Sequence, residues 1–180
     1  MDLEYEVSLA IEGNKEAFSR LIKHYEGSLY RVSKTILQSD SDCADAIQDT
    51  ILRAYKGVSK LKQPEYFKTW LIRILINECN RISIQNKKII PMEDVIACES
   101  QNGFEERVTI RETINSLEDD LRETVILYYM EDLSVKDVSK AQEIPEGTVK
   151  SRLSRARKKL TVMLDDYYKG SESNERKIIG

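Results

Sequence analysis

Residues 133–160, LSVKDVSKAQEIPEGTVKSRLSRARKKL, have the pattern of two helices separated by a tight turn. Ser134, followed three residues later by Asp137, forms a capping box, in which the two side chains satisfy free amides at the start of a helix. Pro145 stops this helix, because proline lacks an amide hydrogen and clashes with the preceding turn. The sequence therefore predicts a short first helix and a turn between Gln142 and Pro145.

The second predicted helix, from Glu146 to Leu160, has one apolar side and one basic side. Its apolar residues recur every three or four positions and form a narrow stripe of Val149, Leu153, Ala156 and Leu160. Residues 148–160 contain six basic residues and no acidic one. The side opposite the stripe carries Ser151, Arg155 and Lys158, flanked by Thr148, Arg152 and Lys159. This pattern indicates a helix-turn-helix whose second helix fits a major groove, although a solvated basic face is the simpler alternative.

Charge along the chain alternates in blocks, although the net charge is only −3. Residues 62–90 contain six basic and two acidic residues, whereas residues 91–120 contain nine acidic and two basic residues. Phosphate binding requires clustered positive charge. Two basic regions separated by an acidic one predict two DNA contacts and a protein partner that supplies much of the affinity.

Three long helical patterns precede residue 90. The first covers residues 17–36 and has Asn14 as its predicted cap, the second covers residues 42–58, and the third covers residues 67–82. The second helix has a polar face of mixed charge, which is either a solvated surface or the polar rim of a protein interface. The third helix carries an aromatic residue, a cation and several amides along one face, which together can stack on bases and hydrogen-bond their edges.

The fold class expected from these patterns is all-α, with two small helical domains joined by a flexible acidic linker. We expect an N-terminal domain over residues 1–88, a linker over 89–106, a C-terminal helix-turn-helix domain over 107–168 and a flexible tail over 169–180. Cys43, Cys79 and Cys98 are widely spaced, so they predict neither a disulfide framework nor a metal site. The acidic N-terminus and the lack of a long apolar run predict a cytoplasmic protein.

Three stretches of the chain resemble the extracytoplasmic-function class of bacterial sigma factors: DCADAIQDTILRAYKGV (42–58), FKTWLIRILINECNRI (67–82) and residues 133–160. The resemblance covers nearly the whole chain. It implies an alternative sigma factor that binds core RNA polymerase and directs it to promoter DNA. It also implies an anti-sigma factor as a partner, which is anchored to the membrane in many relatives.

The resemblance also implies a role for each group of polar residues. The polymerase-binding residues would be Asp45, Gln48, Asp49 and Arg53. The melted promoter element nearest the start site would be bound by Lys62, Tyr66, Arg73, Asn77, Asn80 and Arg81. The distal duplex element would be read by Thr148, Lys150, Ser151, Arg152, Arg155 and Lys158. Three positions depart from the family pattern: Gln142 and Glu143 replace a usual leucine and glycine in the turn, and Glu118 replaces a common proline.

Three other classes of function compete with this prediction. An enzyme is disfavoured, because the sequence has no glycine-rich phosphate loop, HExxH spacing or paired nucleophile and base, so we expect no cofactor and no small-molecule substrate. A self-sufficient dimeric helix-turn-helix regulator is the stronger alternative, and it would require a palindromic site. A purely protein-binding helical protein is the third.

Overall fold

A computed structural model describes residues 2–89 and 110–178, and side chains over residues 2–86 and 112–164. All regular structure in these ranges is helical, which confirms the predicted all-α class. The N-terminal module, residues 2–89, contains α1 (Leu3–Ile11), α2 (Lys15–Ile36), α3 (Asp40–Gly57) and α4 (Phe67–Ile89), with 3₁₀ turns at Val58–Lys60 and Pro64–Tyr66. The C-terminal module, residues 110–178, contains α5 (Ile110–Asn115), α6 (Asp119–Val125), a π-helical turn (Ile126–Met130), α7 (Val135–Gln142) and α8 (Glu146–Ile178).

Local side-chain caps fix where three of these helices begin. The side chain of Asn14 accepts a 2.9 Å hydrogen bond from the amide of Ala17, and Ser39 caps α3 in the same way. Ser134 accepts a 3.1 Å hydrogen bond from the amide of Asp137, which is one half of the predicted capping box, and its hydroxyl donates to the Asp137 carboxylate at 2.6 Å. Each cap satisfies an amide that has no partner within its own helix.

The core of the N-terminal module lies between α2, α3 and α4, whose apolar faces meet. Leu21, Phe67 and Leu75 are almost completely buried there. Cys43 and Cys79 are free thiols within the same core, which agrees with their interpretation as small buried hydrophobic residues. Burial raises the pKa of the Cys79 thiol to about 12, because the thiolate would lose its hydration. Cys98 lies outside the described residues.

The core of the C-terminal module contains most of the apolar stripe predicted for the second helix of the helix-turn-helix. Val149, Leu153 and Ala156 are at most 1% exposed, and Leu160 at the end of the stripe is half-buried. They pack with buried residues of the preceding helices, including Leu127. The stripe therefore faces inward, so the basic side of α8 faces outward.

The two modules pack against each other through α4 and α7, and through α2 and α6. Glu131, which follows the π-helical turn, is 1% exposed at this interface. Arg31 of α2 donates to its carboxylate at 3.0 Å, and the Lys68 ammonium of α4 lies 3.4 Å from it. A buried carboxylate needs partners of this kind, since it has lost its hydration.

The last helix continues into the region predicted as a flexible tail, residues 169–180. Helix α8 is helical through Ile178, and Pro145 is the last proline of the sequence, so no later proline interrupts the hydrogen bonding of the helix. Most of the predicted linker, residues 90–106, lies outside the described residues. Within the described ranges, none of the helices combines the length and apolar character needed to cross a membrane.

Candidate nucleic-acid and protein interfaces

The helix-turn-helix is built by α7, a tight turn and the first half of α8. Glu143 ends α7 in the left-handed conformation, with φ 56° and ψ 39°. The amide of Ile144 then donates to the carbonyl of Ser139 at 3.1 Å, which satisfies one carbonyl at the end of the helix. The turn thus has the geometry that glycine usually supplies, with a glutamate in the strained position.

The outward face of α8 gathers most of the residues predicted to read duplex DNA. Lys150, Ser151, Arg155 and Lys158 are exposed, and Thr148 is half-buried beside them. Ser151 and Arg155 lie one helical turn apart on the side away from the apolar stripe. This face combines cations with a hydroxyl group, so it can bind phosphates and the edges of bases.

Arg152 lies to one side of this face and turns towards the protein. Its Nε lies 3.2 Å from the Asp120 carboxylate, and its side chain is 20% exposed. Lys159 forms a similar pair with Glu118, and that hydrogen bond lowers the pKa of the Glu118 carboxyl. The acidic start of α6 therefore holds two of the six cations of residues 148–160 against the C-terminal module.

Three of the residues predicted to bind a melted strand form an exposed stripe along α4. Arg73, Asn77 and Asn80 are all exposed and follow one another at helical spacing. Tyr66, at the end of the 3₁₀ turn before α4, is half-buried at one end of this stripe, and Lys62 is exposed in the loop that precedes it. The structure therefore brings an aromatic ring, a guanidinium and two amides to one side of the N-terminal module.

Arg81 does not join this stripe, although the sequence grouped it there. Its guanidinium donates to Asp49 at 2.6 Å and to Glu78 at 2.9 Å, and the hydrogen bond to Glu78 raises the pKa of Arg81. Glu78 is 2% exposed and also lies 2.8 Å from Nε of Arg53. Arg81 thus belongs to a charge network between α3 and α4 that includes two of the residues predicted to bind polymerase, Asp49 and Arg53.

The polar face of α3 continues into an apolar surface that the sequence interpretation missed. Asp45 and Gln48 are exposed on α3, and Leu52 and Tyr55 are 57% and 47% exposed on the next turns. Leu52 is apolar, but it lies outside the helical period of the other apolar residues of α3. This mismatch is the sequence signal that could have identified the exposed apolar surface. Exposed apolar residues with a polar rim are typical of protein interfaces.

Potential metal ligands do not cluster anywhere in residues 2–86 or 112–164. No group of three or more histidine, cysteine, aspartate or glutamate side chains in these ranges has the arrangement of a metal site. The arrangement of charged and aromatic residues instead suits binding to nucleic acid and to protein.

Comparisons with known proteins match both modules to one family. The family described as "Sigma-70 region 2" matches residues 21–86, and "Sigma-70, region 4" matches residues 107–160. The ECF RNA polymerase sigma-E factor of Haemophilus influenzae is 27% identical over 164 residues, covering 81% of this chain and 86% of that protein. The ECF RNA polymerase sigma factor SigM of Mycobacterium tuberculosis is 28% identical over 157 residues, covering 86% of this chain and 80% of SigM.

Two solved structures share the fold. The sigma factor RpoE of Bartonella quintana, solved in complex with the anti-sigma factor NepR, is 25% identical with a TM-score of 0.63, covering 82% of this chain and 96% of that one. CnrH, solved with the cytosolic domain of CnrY, is 20% identical with a TM-score of 0.65, covering 91% and 97%. Both structures are therefore similar to this chain in overall fold.

Proposed function

The chain belongs to the extracytoplasmic-function class of sigma factors, and on that premise we propose how its two modules divide the work of promoter recognition. As an alternative sigma factor it directs transcription initiation. We assign residues 1–88 to polymerase binding and to the melted proximal element, and residues 107–168 to the distal duplex element. Residues 89–106 would link them, and residues 169–180 would form a tail.

The exposed basic face of α8 is the observation that carries the distal assignment. Arg155 and Lys158 are exposed on a helix whose apolar stripe is buried, and residues 148–160 contain no acid of their own. The second helix of a helix-turn-helix enters the major groove, where a guanidinium can bind two acceptors of a guanine. We expect Arg155 to contact bases or phosphates directly, whereas Arg152 would do so only after releasing Asp120.

The face of α4 supports the proximal assignment. Arg73, Asn77 and Asn80 are exposed together, and Tyr66 supplies an aromatic ring beside them. Melted DNA is bound by stacking and by polar contacts to unpaired bases rather than by a helix in a groove. Arg81 would support this face through Glu78 instead of contacting the strand.

Core RNA polymerase would dock on the outer face of α3. Asp45 and Gln48 provide a polar rim, and Leu52 provides exposed apolar area next to it. Interfaces commonly join an apolar centre to a polar rim in this way. An anti-sigma factor is the second expected protein partner, as it is for the relative RpoE, and the protein would act in the cytoplasm, where the polymerase works. The chain would carry no catalytic step of its own.

Run-off transcription with purified core polymerase tests this function. Fragments of the source genome serve as templates, with core enzyme alone as the baseline. We expect discrete transcripts that appear only when the chain is added, and promoters that share two dissimilar elements at a fixed spacing. Absence of chain-dependent transcripts, together with tight binding of the chain alone to a palindromic duplex, would instead identify a dimeric regulator.

A further inference from the structure

Glu78 of α4 is a buried carboxylate at the boundary between α3 and α4. It is 2% exposed, and within residues 2–86 and 112–164 only Glu131 is an acidic residue this little exposed. Burial of a carboxylate is unfavourable, and apolar residues of similar size often fill such positions at least as well. The stability of the core alone therefore does not account for a charge at position 78.

The two oxygens of Glu78 bind guanidinium groups from two different helices. Its Oε1 lies 2.8 Å from Nε of Arg53 on α3, and its Oε2 accepts a 2.9 Å hydrogen bond from Nε of Arg81 on α4. Arg81 in turn reaches back to α3, where it donates a 2.6 Å hydrogen bond to the Asp49 carboxylate. Glu78 therefore holds Arg53 directly, and it holds Asp49 through Arg81.

The two α3 residues that Glu78 holds are themselves accessible at the surface. The side chains of Arg53 and Asp49 are 60% and 44% exposed, and they lie one helical turn apart on α3. An aspartate and an arginine at this spacing can also pair with each other along a helix. Without their contacts to α4, both side chains would be free to form that pair or to move in solvent. Glu78 thus selects one arrangement of charge on this part of α3.

From this geometry we propose that Glu78 is a positioning residue for polymerase binding, which fixes Arg53 and Asp49 in the arrangement that core polymerase recognises. The inference rests on the proposed function, since that function assigns the outer face of α3 to the polymerase. A side chain that is already ordered loses less conformational entropy on binding, so its contacts contribute more to the affinity. Replacement of Glu78 should therefore weaken polymerase binding, although the buried carboxylate itself touches no partner.

Competition for core polymerase between the labelled unchanged chain and unlabelled full-length variants measures the affinity of each variant. We expect Glu78→Leu and Glu78→Gln to bind about 3- to 10-fold more weakly, the range that ordering of one or two long side chains allows. Arg53 and Arg81 are both partly exposed, so they can turn to solvent when the carboxylate is removed. Thermal unfolding should therefore show no loss of stability in Glu78→Leu. Glu78→Gln provides the same comparison with the shape of the side chain retained.

Double substitutions distinguish positioning from a general effect on the fold. Arg53→Ala should reduce the affinity of the unchanged chain for core polymerase, but it should reduce that of Glu78→Leu much less, because Arg53 is no longer held there. Gln48→Ala is the matched control, since Gln48 is uncharged and exposed on the same helix. The loss caused by Gln48→Ala should be the same in both backgrounds. Equal losses caused by Arg53→Ala in the two backgrounds would overturn the proposal.

Nitrogen-15 relaxation of the arginine Nε groups tests the arrangement without any polymerase. We expect the Nε–H group of Arg53 to be rigid in the unchanged chain and mobile in Glu78→Leu. Arg20 is the internal control, because its Nε donates to Glu6 at 3.1 Å between α1 and α2 and should be unaffected. If Arg53 were equally mobile in the two chains, Glu78 would not be positioning it, even if Glu78→Leu bound polymerase weakly.

The outcomes separate this inference from the proposed function. If the unchanged chain, Glu78→Leu and Glu78→Gln bound core polymerase equally well, positioning by Glu78 would be wrong and the proposed function would stand. If the unchanged chain did not bind core polymerase at all, the proposed function would fail, and the inference that rests on it would fail too. Weaker binding of Glu78→Leu that Arg53→Ala reduces little further, together with a mobile Arg53, would support positioning.

Discussion

Arg73 on α4 and Glu143 at the turn between α7 and α8 are 70 residues apart in sequence, yet their side chains meet at 2.8 Å. The pair joins the α4 face that we propose binds the melted strand to the helix-turn-helix of the other module. Glu143 makes this contact from a left-handed backbone conformation, where a side chain is strained. Two properties of one residue, its charge and its backbone strain, can therefore be separated by substitution.

Glu143→Gly should stabilise the fold while it loosens the contact between modules. Glycine adopts a positive φ without strain, so we expect the free energy of unfolding to rise by about 0.5 kcal/mol in chemical denaturation, after allowance for the greater freedom of glycine in the unfolded chain. Asp132→Gly is the matched control, because Asp132 also has a positive φ of 53°. Only the change at Glu143 also removes the hydrogen bond to Arg73 of the other module. A loss of stability in Glu143→Gly would contradict the strain argument.

Arg155→Ala should weaken binding to the distal promoter element by about 1–3 kcal/mol if the side chain contacts a base. Arg157→Ala removes the same charge from the same helix, but its side chain lies nearer the apolar stripe and donates to the carbonyl of Leu153. We expect Arg157→Ala to have a smaller effect. Competition binding of the holoenzyme to promoter duplexes at several salt concentrations provides the measurement, and equal losses in the two variants would argue against direct readout by Arg155.

Leu52→Ala should weaken binding to core polymerase without reducing the stability of the free chain. The side chain is 57% exposed, so little apolar packing is lost on truncation, whereas an interface centred on it would lose about 1 kcal/mol or more. Tyr5→Ala is the control, since Tyr5 is 61% exposed on α1. Titration of labelled chain with core enzyme, together with thermal unfolding, distinguishes the two effects. Unchanged affinity for core polymerase in Leu52→Ala would show that the polymerase interface does not include this part of α3.

Gly57→Ala and Gly147→Ala should change stability in opposite directions. A Cβ at Gly57 would lie 3.1 Å from Cζ2 of Trp70, so the indole must shift, and we expect a loss of about 1 kcal/mol. A Cβ at Gly147 would meet no atom within 4 Å, so alanine should stabilise the start of α8 by roughly 0.5 kcal/mol. Denaturant unfolding of the two variants and the unchanged chain gives both values. Equal stability of the two variants would refute the packing assignment of Trp70.

Glu123→Gln should raise the thermal stability at neutral pH. Burial raises the pKa of the Glu123 carboxyl above its usual 4.5, although hydrogen bonding to Gln142 and the charge of Arg152 oppose this. When the folded state raises the pKa of a carboxyl, the folded protein binds the proton more tightly than the unfolded chain does. The free energy of unfolding therefore falls as the pH rises from 4.5 through the raised pKa. The gain in Tm of Glu123→Gln should therefore disappear well below pH 4.5.

The opposite dependence is expected for Glu118→Gln. The hydrogen bond from Lys159 lowers the pKa of Glu118, so its carboxylate contributes stability that is present above pH 4.5 and is lost as the pH falls through the lowered pKa. Thermal unfolding of both variants between acidic and neutral pH provides the comparison. If the change in Tm depended on pH in the same way in both variants, the opposite pKa shifts of Glu123 and Glu118 would be contradicted.

Features that depend on neighbours in the sequence could be predicted, whereas those that depend on distant residues could not. The caps at Asn14 and Ser134 involve residues three positions apart, and the sequence identified both. The partner of Arg152 is Asp120, on another helix, and helical periodicity says nothing about such a pair. The ion pairs of Arg81 could not be predicted for the same reason, because the direction of its long side chain is set by the tertiary contact with Asp49 rather than by its position on α4.

The packing of the two modules was also beyond the sequence patterns. Periodicity predicts that α7 has a buried side, but it does not reveal that Lys140 contacts Tyr66 or that Glu143, just after α7, contacts Arg73. Charge patterns suggested two separate basic regions. Pairing across modules neutralises part of one of them, since Arg73 is bound to Glu143.

The two thiols in the N-terminal core give the protein an internal reporter of its own unfolding. Cys43 and Cys79 are inaccessible in the folded state, and Cys79 with a pKa of about 12 remains protonated at neutral pH. Alkylating reagents attack thiolates, so these sulfurs should react only in molecules whose first four helices have come apart. The rate of their alkylation would then measure the opening of the N-terminal module alone, independently of events in the C-terminal module.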